Sequence, residues 1–129
     1  MTRLTLALAL LMLVLTSATS ALAKLPRPYP GTPQMPRKLG LATLAVFGRS
    51  HYRQAQCVAW YENNYTTVVS PTDDHGYWQI NRPSHPWVSF ARLDNRRERY
   101  YNARIAYKIS RGGRDWSPWS VVTIQGHCR

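Results

Sequence analysis

Glu62 stands near the end of a stretch, about His51 to Asn63, whose apolar residues recur at helical spacing. At 100° per residue, Ala55, Val58 and Ala59 fall within about 60° of Glu62, so its carboxyl shares the face that a helix would bury. Burial disfavours a carboxylate, and the C-terminal end of a helix disfavours negative charge; both raise the pKa. A carboxylic acid still protonated near neutral pH can give its proton to a leaving group. The opposing reading is a Glu paired with one of the many arginines, which lowers the pKa instead. A partner carboxylate has few sources, since Asp and Glu number six: Glu62, Asp73, Asp74, Asp94, Glu98 and Asp115. Asp73 and Asp74 follow Pro71-Thr72, where Asp is also ordinary turn chemistry.

Other chemistries are poorly supplied. Cys57 and Cys128 are the only cysteines, too few for a cysteine-based metal site. His51, His75, His85 and His127 show no zinc-ligand spacing, although His85 could line a cleft. Neither metal nor cofactor is expected.

The elements that must position Glu62 follow from pattern and punctuation. Leu41 to Phe47 reads as a short helix, and Ser50 can cap a second, ending at Asn63-Asn64. Thr66 to Val69 and Tyr77 to Ile80, flanking turn residues Ser70 to Asp74, read as a small hairpin. Gln79 and Asn81 then share one strand face, with Trp78 pointing away. Arg82 to Leu93, holding Pro83 and Pro86, reads as irregular. A third helix begins after Asp94 or Asn95 and ends at Gly112-Gly113, and a last short one starts near Asp115. On the third helix Asn102 shares the apolar face, where a polar side chain needs a buried partner. The predicted class is α+β, mainly α, with one short hairpin.

Residues 1–23 read as a secretory signal: a charged start at Arg3, an apolar run from Leu4 to Leu15, and small residues ending Ala21-Leu22-Ala23. The run is too short for a comfortable membrane span, so stable membrane insertion is not expected after cleavage. Export permits a Cys57–Cys128 disulfide. Residues 24–38, with five prolines, read as an extended and mobile lead-in, and residues 39–129 as the domain.

Lys and Arg number 17 against those six acids, a formal charge of +11, while 44% apolar content excludes a disordered basic tail. On the third helix Arg97, Arg104, Lys108 and Arg111 fall in one sector, a solvated face or a stripe that attracts polyanions. No strand carries the aromatic pattern of RNA-binding sheets and no helix-turn-helix glycine turn is present, so nucleic acid is not an expected partner.

Cys57-Val58-Ala59-Trp60-Tyr61-Glu62-Asn63-Asn64-Tyr65, followed after a turn by Asp74-His75-Gly76-Tyr77-Trp78-Gln79-Ile80-Asn81, resembles the lysozyme and lytic transglycosylase superfamily. Asn102 to Tyr107 and Trp116-Ser117-Pro118-Trp119 are similar to its C-terminal helix and the tryptophan segment after it. The resemblance implies a lysozyme-like domain that cleaves the β-1,4 bond between N-acetylmuramic acid and N-acetylglucosamine in peptidoglycan. Glu62 matches the general acid. Asp74, five residues before Gln79, matches the second carboxylate of animal lysozymes. Gln79, Asn81, Tyr77 and Trp116 would shape the cleft, with Trp116 matched to the tryptophan beside the catalytic Glu. Cys57 and Cys128 match a disulfide of animal-type lysozymes. The chain departs from the pattern at Trp78, commonly aliphatic or Phe, at Asn63, commonly a small hydroxyl residue, and in a shorter Glu62-to-Gln79 interval. Lytic transglycosylases work without a second carboxylate and form 1,6-anhydro products, so hydrolysis and anhydro formation both stay open. The expected protein is a secreted monomeric muramidase whose partner is the anionic cell wall. The rival is a non-catalytic cationic protein that binds walls or membranes on the same scaffold.

Overall fold

The computed structural model describes residues 23–129; all but the last residue of the expected signal segment lies outside them. Among the described residues six elements follow one another: α1 (Arg37–Asn63), β1 (Asp74–His75), β2 (Ile80–Asn81), α2 (Phe90–Asp94), α3 (Arg99–Ile109) and α4 (Ser120–Thr123). The strands form a two-stranded antiparallel sheet with Asp74 opposite Asn81 and His75 opposite Ile80. The domain is α+β and mainly helical, as its punctuation predicts. Among the described residues, no helix is long and apolar enough to cross a membrane.

The first helix pair is one element broken at Gly48, whose φ of 70° and ψ of 172° no helix interior tolerates. The break therefore precedes Ser50, the expected cap, by two residues. The faces of α1, on both sides of the break, and of α3 carry Phe47, Val58, Ala59, Ala103 and Ala106 into a common core. Trp78 fills the centre at 1% exposure and donates its indole N–H to the Ala55 carbonyl at 2.9 Å. Burying an aromatic of this size contributes about 4 kcal/mol of hydrophobic stabilisation. Trp78 thus points away from the site, as expected, and it packs.

The hairpin lies later in the chain than the β-branched residues suggest. Thr66 to Val69 pairs with no strand; its carbonyls are taken by side chains, with Asn63 Nδ2 donating to Thr66 and Val68 at 3.0 and 2.9 Å. The loop expected from Arg82 to Leu93 closes with α2, which stops where Asn95 accepts the Arg97 N–H at 3.0 Å in an Asx turn. Consequently α3 starts at Arg99, later than expected, and only Arg104 and Lys108 of the basic stripe lie within it. A similar turn, Asp115 accepting the Ser117 N–H at 3.0 Å, delays α4 to Ser120.

The Pro-rich lead-in is extended, and it docks on α1. Gln56, fully buried on α1, accepts the Tyr29 N–H at 2.8 Å and donates to the Pro33 carbonyl at 3.0 Å. Met35 enters the core beside Leu39. Periodicity could not reveal this, because the segment is held by bonds to residues far along the chain, the buried Gln56 amide foremost.

Asn102, 1% exposed, accepts the Tyr77 N–H at 3.1 Å and donates to the Leu93 and Glu98 carbonyls at 3.1 and 3.0 Å. Gly76 lies against it with φ of 76°, and a Cβ there would sit 2.2 Å from Asn102 Oδ1. Gly76→Ala is therefore expected to destabilise the fold by more than about 2 kcal/mol in chemical denaturation. Cys57 and Cys128 are disulfide-bonded across 71 residues of sequence. In the chain-entropy view such a loop contributes about 4 kcal/mol, so Cys57→Ala/Cys128→Ala should lower the unfolding free energy by about that amount, read by urea titration at constant pH.

Candidate active site

Glu62 occupies the last turn of α1, which ends because Asn64 turns left-handed (φ 49°, ψ 38°) and its N–H folds back onto the Ala59 and Trp60 carbonyls. Its carboxyl opens into a cleft of about 440 Å³. The opposite wall is the hairpin, with Asp74, Gln79, Ile80 and Asn81; Ile109, Pro118 and Trp119 close the apolar side. Ser84, His85 and Ser120 complete the lining.

The cleft keeps Glu62 partly from water, and among the described residues no Lys, Arg or His lies within 4 Å of its carboxylate. Burial first, and the nearby Asp74 carboxylate second, push its pKa from 4.5 up to about 7. The arginine-paired alternative is not what the structure contains.

Asp74 has the opposite environment. Burial pushes its carboxyl up, but the bonds it accepts from Thr72, Ser70 (2.7 Å) and Asn81 (2.9 Å) outweigh burial and hold it below its ordinary value. The cross-strand register supplies one of these bonds, since Asn81 lies opposite Asp74. Asp73 is aimed elsewhere: its Oδ1 accepts from His75 Nε2 at 2.6 Å and Arg82 Nε at 3.2 Å, outside the cleft lining. His75 also reaches Asp94 at 2.8 Å through Nδ1, which ties β1 to α2. The hairpin therefore presents one of two consecutive aspartates to the cleft and ties the other to His75 and Arg82 outside it.

Gln79 and Asn81 both line the cleft but do not share a strand face. Gln79 lies in the hairpin turn with φ of 48°, its amide donating to the Val68 and Gly76 carbonyls at 3.0 Å each. Asn81 donates to the Thr72 carbonyl and Asp74, and accepts from Ser84. Their donors brace the site. Val68 is the common anchor, because its carbonyl accepts from both Asn63 and Gln79.

Two expected residues lie away from the cleft lining. Trp116 packs in the core, stacked on Phe47 at 5.7 Å, with its N–H given to the Gly113 carbonyl. Trp119, three residues on, lines the cleft instead and donates its N–H to the Trp78 carbonyl at 2.7 Å. Spacing within Trp116-Ser117-Pro118-Trp119 offers both tryptophans, and only the turn at Asp115 decides between them. Tyr77 is buried with its hydroxyl on the Arg96 carbonyl at 2.9 Å and lines a different pocket. His85 does face the cleft, and burial lowers its pKa.

The profile of a family described as a lysozyme-like domain matches residues 41–121, a span that includes Glu62, Asp74, Gln79, Asn81 and Trp119. No curated protein and no solved structure matches the chain significantly.

The raised pKa has a direct consequence for stability. Between pH 4.5 and about 7 the unfolded chain releases the Glu62 proton while the folded chain keeps it, so this group's contribution is complete below pH 4.5 and lost as pH rises through 7. Glu62→Gln is isosteric and does not titrate. It should match the parent at pH 4 and be more stable by about 2 kcal/mol at pH 8, allowing for partial solvation. Denaturant unfolding at the two pH values measures the difference.

Proposed function

Because this chain belongs to the lysozyme-like domain family, we propose that it is a peptidoglycan-cleaving muramidase. Glu62 is its general acid, acting on the β-1,4 bond between N-acetylmuramic acid and N-acetylglucosamine. The observation that carries this reading is a pair of carboxyl groups in one open cleft with opposite preferences, Glu62 toward the acid and Asp74 toward the carboxylate. Environments that push two carboxyl pKa values apart assign the acid and its charged partner.

In the proposed reaction a glycan strand lies along the cleft and Glu62 gives its proton to the glycosidic oxygen as the bond to the muramic acid anomeric carbon breaks. The developing positive charge on the sugar faces the Asp74 carboxylate. In hydrolysis water ends on that carbon, with Asp74 as nucleophile or as base for the water. In the transglycosylase route the sugar's own 6-hydroxyl attacks, Glu62 takes up its proton, and Asp74 serves only to hold the turn. Ile80, Ile109 and Trp119 limit water around Glu62, while Gln79 offers its amide oxygen to sugar hydroxyls.

Export fits this reading, given the signal segment at residues 1–23 and a disulfide that an oxidising compartment preserves. A second reading rests on charge. Among the described residues, only Arg82 and Arg92 of the lysines and arginines have a carboxylate within 4 Å, so the surface is strongly cationic. Such a surface steers a protein toward anionic walls, and in the rival class it would be the whole activity.

Mass spectrometry of purified peptidoglycan after digestion separates these possibilities. Soluble muropeptides with reducing muramic acid ends mark hydrolysis; products lighter by one water, with 1,6-anhydro ends, mark the transglycosylase. Glu62→Gln should lower either activity by at least about 100-fold while wall binding persists. The parent rate should fall as pH rises through about 7, where Glu62 loses its proton. Undiminished bacterial killing by Glu62→Gln, with no soluble fragments from the parent protein, would leave only the cationic reading.

A further inference from the structure

A second concavity of about 290 Å³ lies between the start of α1, the start of α3 and the hairpin turn. It is lined by Pro36, Arg37, Lys38, Leu39, Tyr65, Tyr77 and Arg99, and shares no residue with the Glu62 cleft. Its lining holds three cations and no carboxylate. None of the three has an acidic partner within 4 Å among the described residues. Glu98, next to Arg99, is held by Arg92 at 2.9 and 3.2 Å.

The neutral polar groups of the pocket are already engaged. Tyr65 donates its hydroxyl to the Pro33 carbonyl at 2.8 Å, and Tyr77 gives its own to Arg96. What remains is positive. The first backbone N–H of α1 to bond back is that of Gly40, to Pro36, and no side chain caps the turn before it. The start of α3 likewise has no side-chain cap: its N-cap residue, Glu98, gives its carboxylate to Arg92. The dipole of α1, with no acid in its first turn, therefore adds to the field of the three side chains. Like charges lining one concavity repel one another, and an anion bound among them relieves that repulsion.

We propose that this pocket is an anion-binding site for a phosphodiester group, as carried by a polyol-phosphate chain. A tetrahedral phosphodiester offers several acceptor oxygens to the two guanidinium forks and the ammonium. Its flanking carbons fit the Pro36 and Leu39 side chains and the tyrosine rings of the lining. The site requires no activity at Glu62, so it stands apart from the muramidase reading. A cationic wall-directed protein would use it to hold a phosphodiester polymer while the cleft stays free.

Protein expressed from the full chain, labelled with 15N, is titrated with glycerophosphoglycerol and with poly(glycerol phosphate) at constant ionic strength. Anionic phosphatidylglycerol vesicles and sodium sulfate form parallel arms. Saturable shifts of the Arg37, Lys38 and Arg99 amides are expected with both phosphodiesters. Arg37→Gln/Lys38→Gln/Arg99→Gln should weaken polymer binding by at least about tenfold. The charge-matched Arg104→Gln/Lys108→Gln/Arg111→Gln should weaken it less than about threefold. Equal losses in both variants would overturn the proposal and assign the binding to net charge. Absence of shifts at these amides in the parent protein would overturn it even if a variant misfolds. So would sulfate shifting them as strongly as the diesters, or binding confined to vesicles.

Discussion

The placement of Asp74 across from Glu62 depends on how a very small hairpin is held. Strands of two residues have little stability of their own. Here the intervening turn is anchored instead: Trp78 fills the core and bonds α1, Trp119 bonds the Trp78 carbonyl, and Asn102 takes the Tyr77 N–H from α3. Each bond joins the hairpin to a separate helical segment, so hydrophobic burial sets its depth and polar anchors set its orientation. His75, buried between Asp73 and Asp94, adds a fourth tie beneath the strand.

With that frame in place, the two carboxyl groups acquire different chemistry from their surroundings alone. Glu62 projects from a helix end into a partly apolar cleft with no cation beside it, and the neutral acid is favoured. Asp74 sits in a ring of hydroxyl and amide donors, and the charged form is favoured. The nearby Asp74 charge reinforces the contrast by opposing ionisation of Glu62. The arrangement costs stability above neutral pH, an expense that a disulfide and an aromatic core of tryptophans can offset in so small a domain.

The cationic surface is uneven in its use. Arg82 and Arg92 help to hold loops through Asp73 and Glu98, and Arg82 also stacks over Phe90 at 4.7 Å. Lys108 covers the Trp87 ring at 4.5 Å. Arg37, Lys38 and Arg99, in contrast, line a concavity without a carboxylate of their own. The proposed attraction to anionic walls would therefore draw on the whole surface, whereas a defined anion position requires the local geometry at the starts of α1 and α3.

Much of this protein was legible from residue types and spacing. Helical periodicity placed Glu62 on an apolar face near a helix end, the ordered blocks around it pointed to a lysozyme-like domain, and two cysteines allowed one pairing. The apolar face of the third helix marked Asn102 as a buried polar residue needing partners. These features are local or combinatorial, and local patterns survive without coordinates. Tertiary structure alone decided which tryptophan borders the cleft, that Tyr77 serves another pocket, that the hairpin begins at Asp74, and that the proline-rich segment docks through Gln56. Each depends on a turn or a buried bond between residues far apart in sequence. A shift of a few residues in such a turn changes which side chain faces the site and leaves the hydrophobic pattern nearly unchanged.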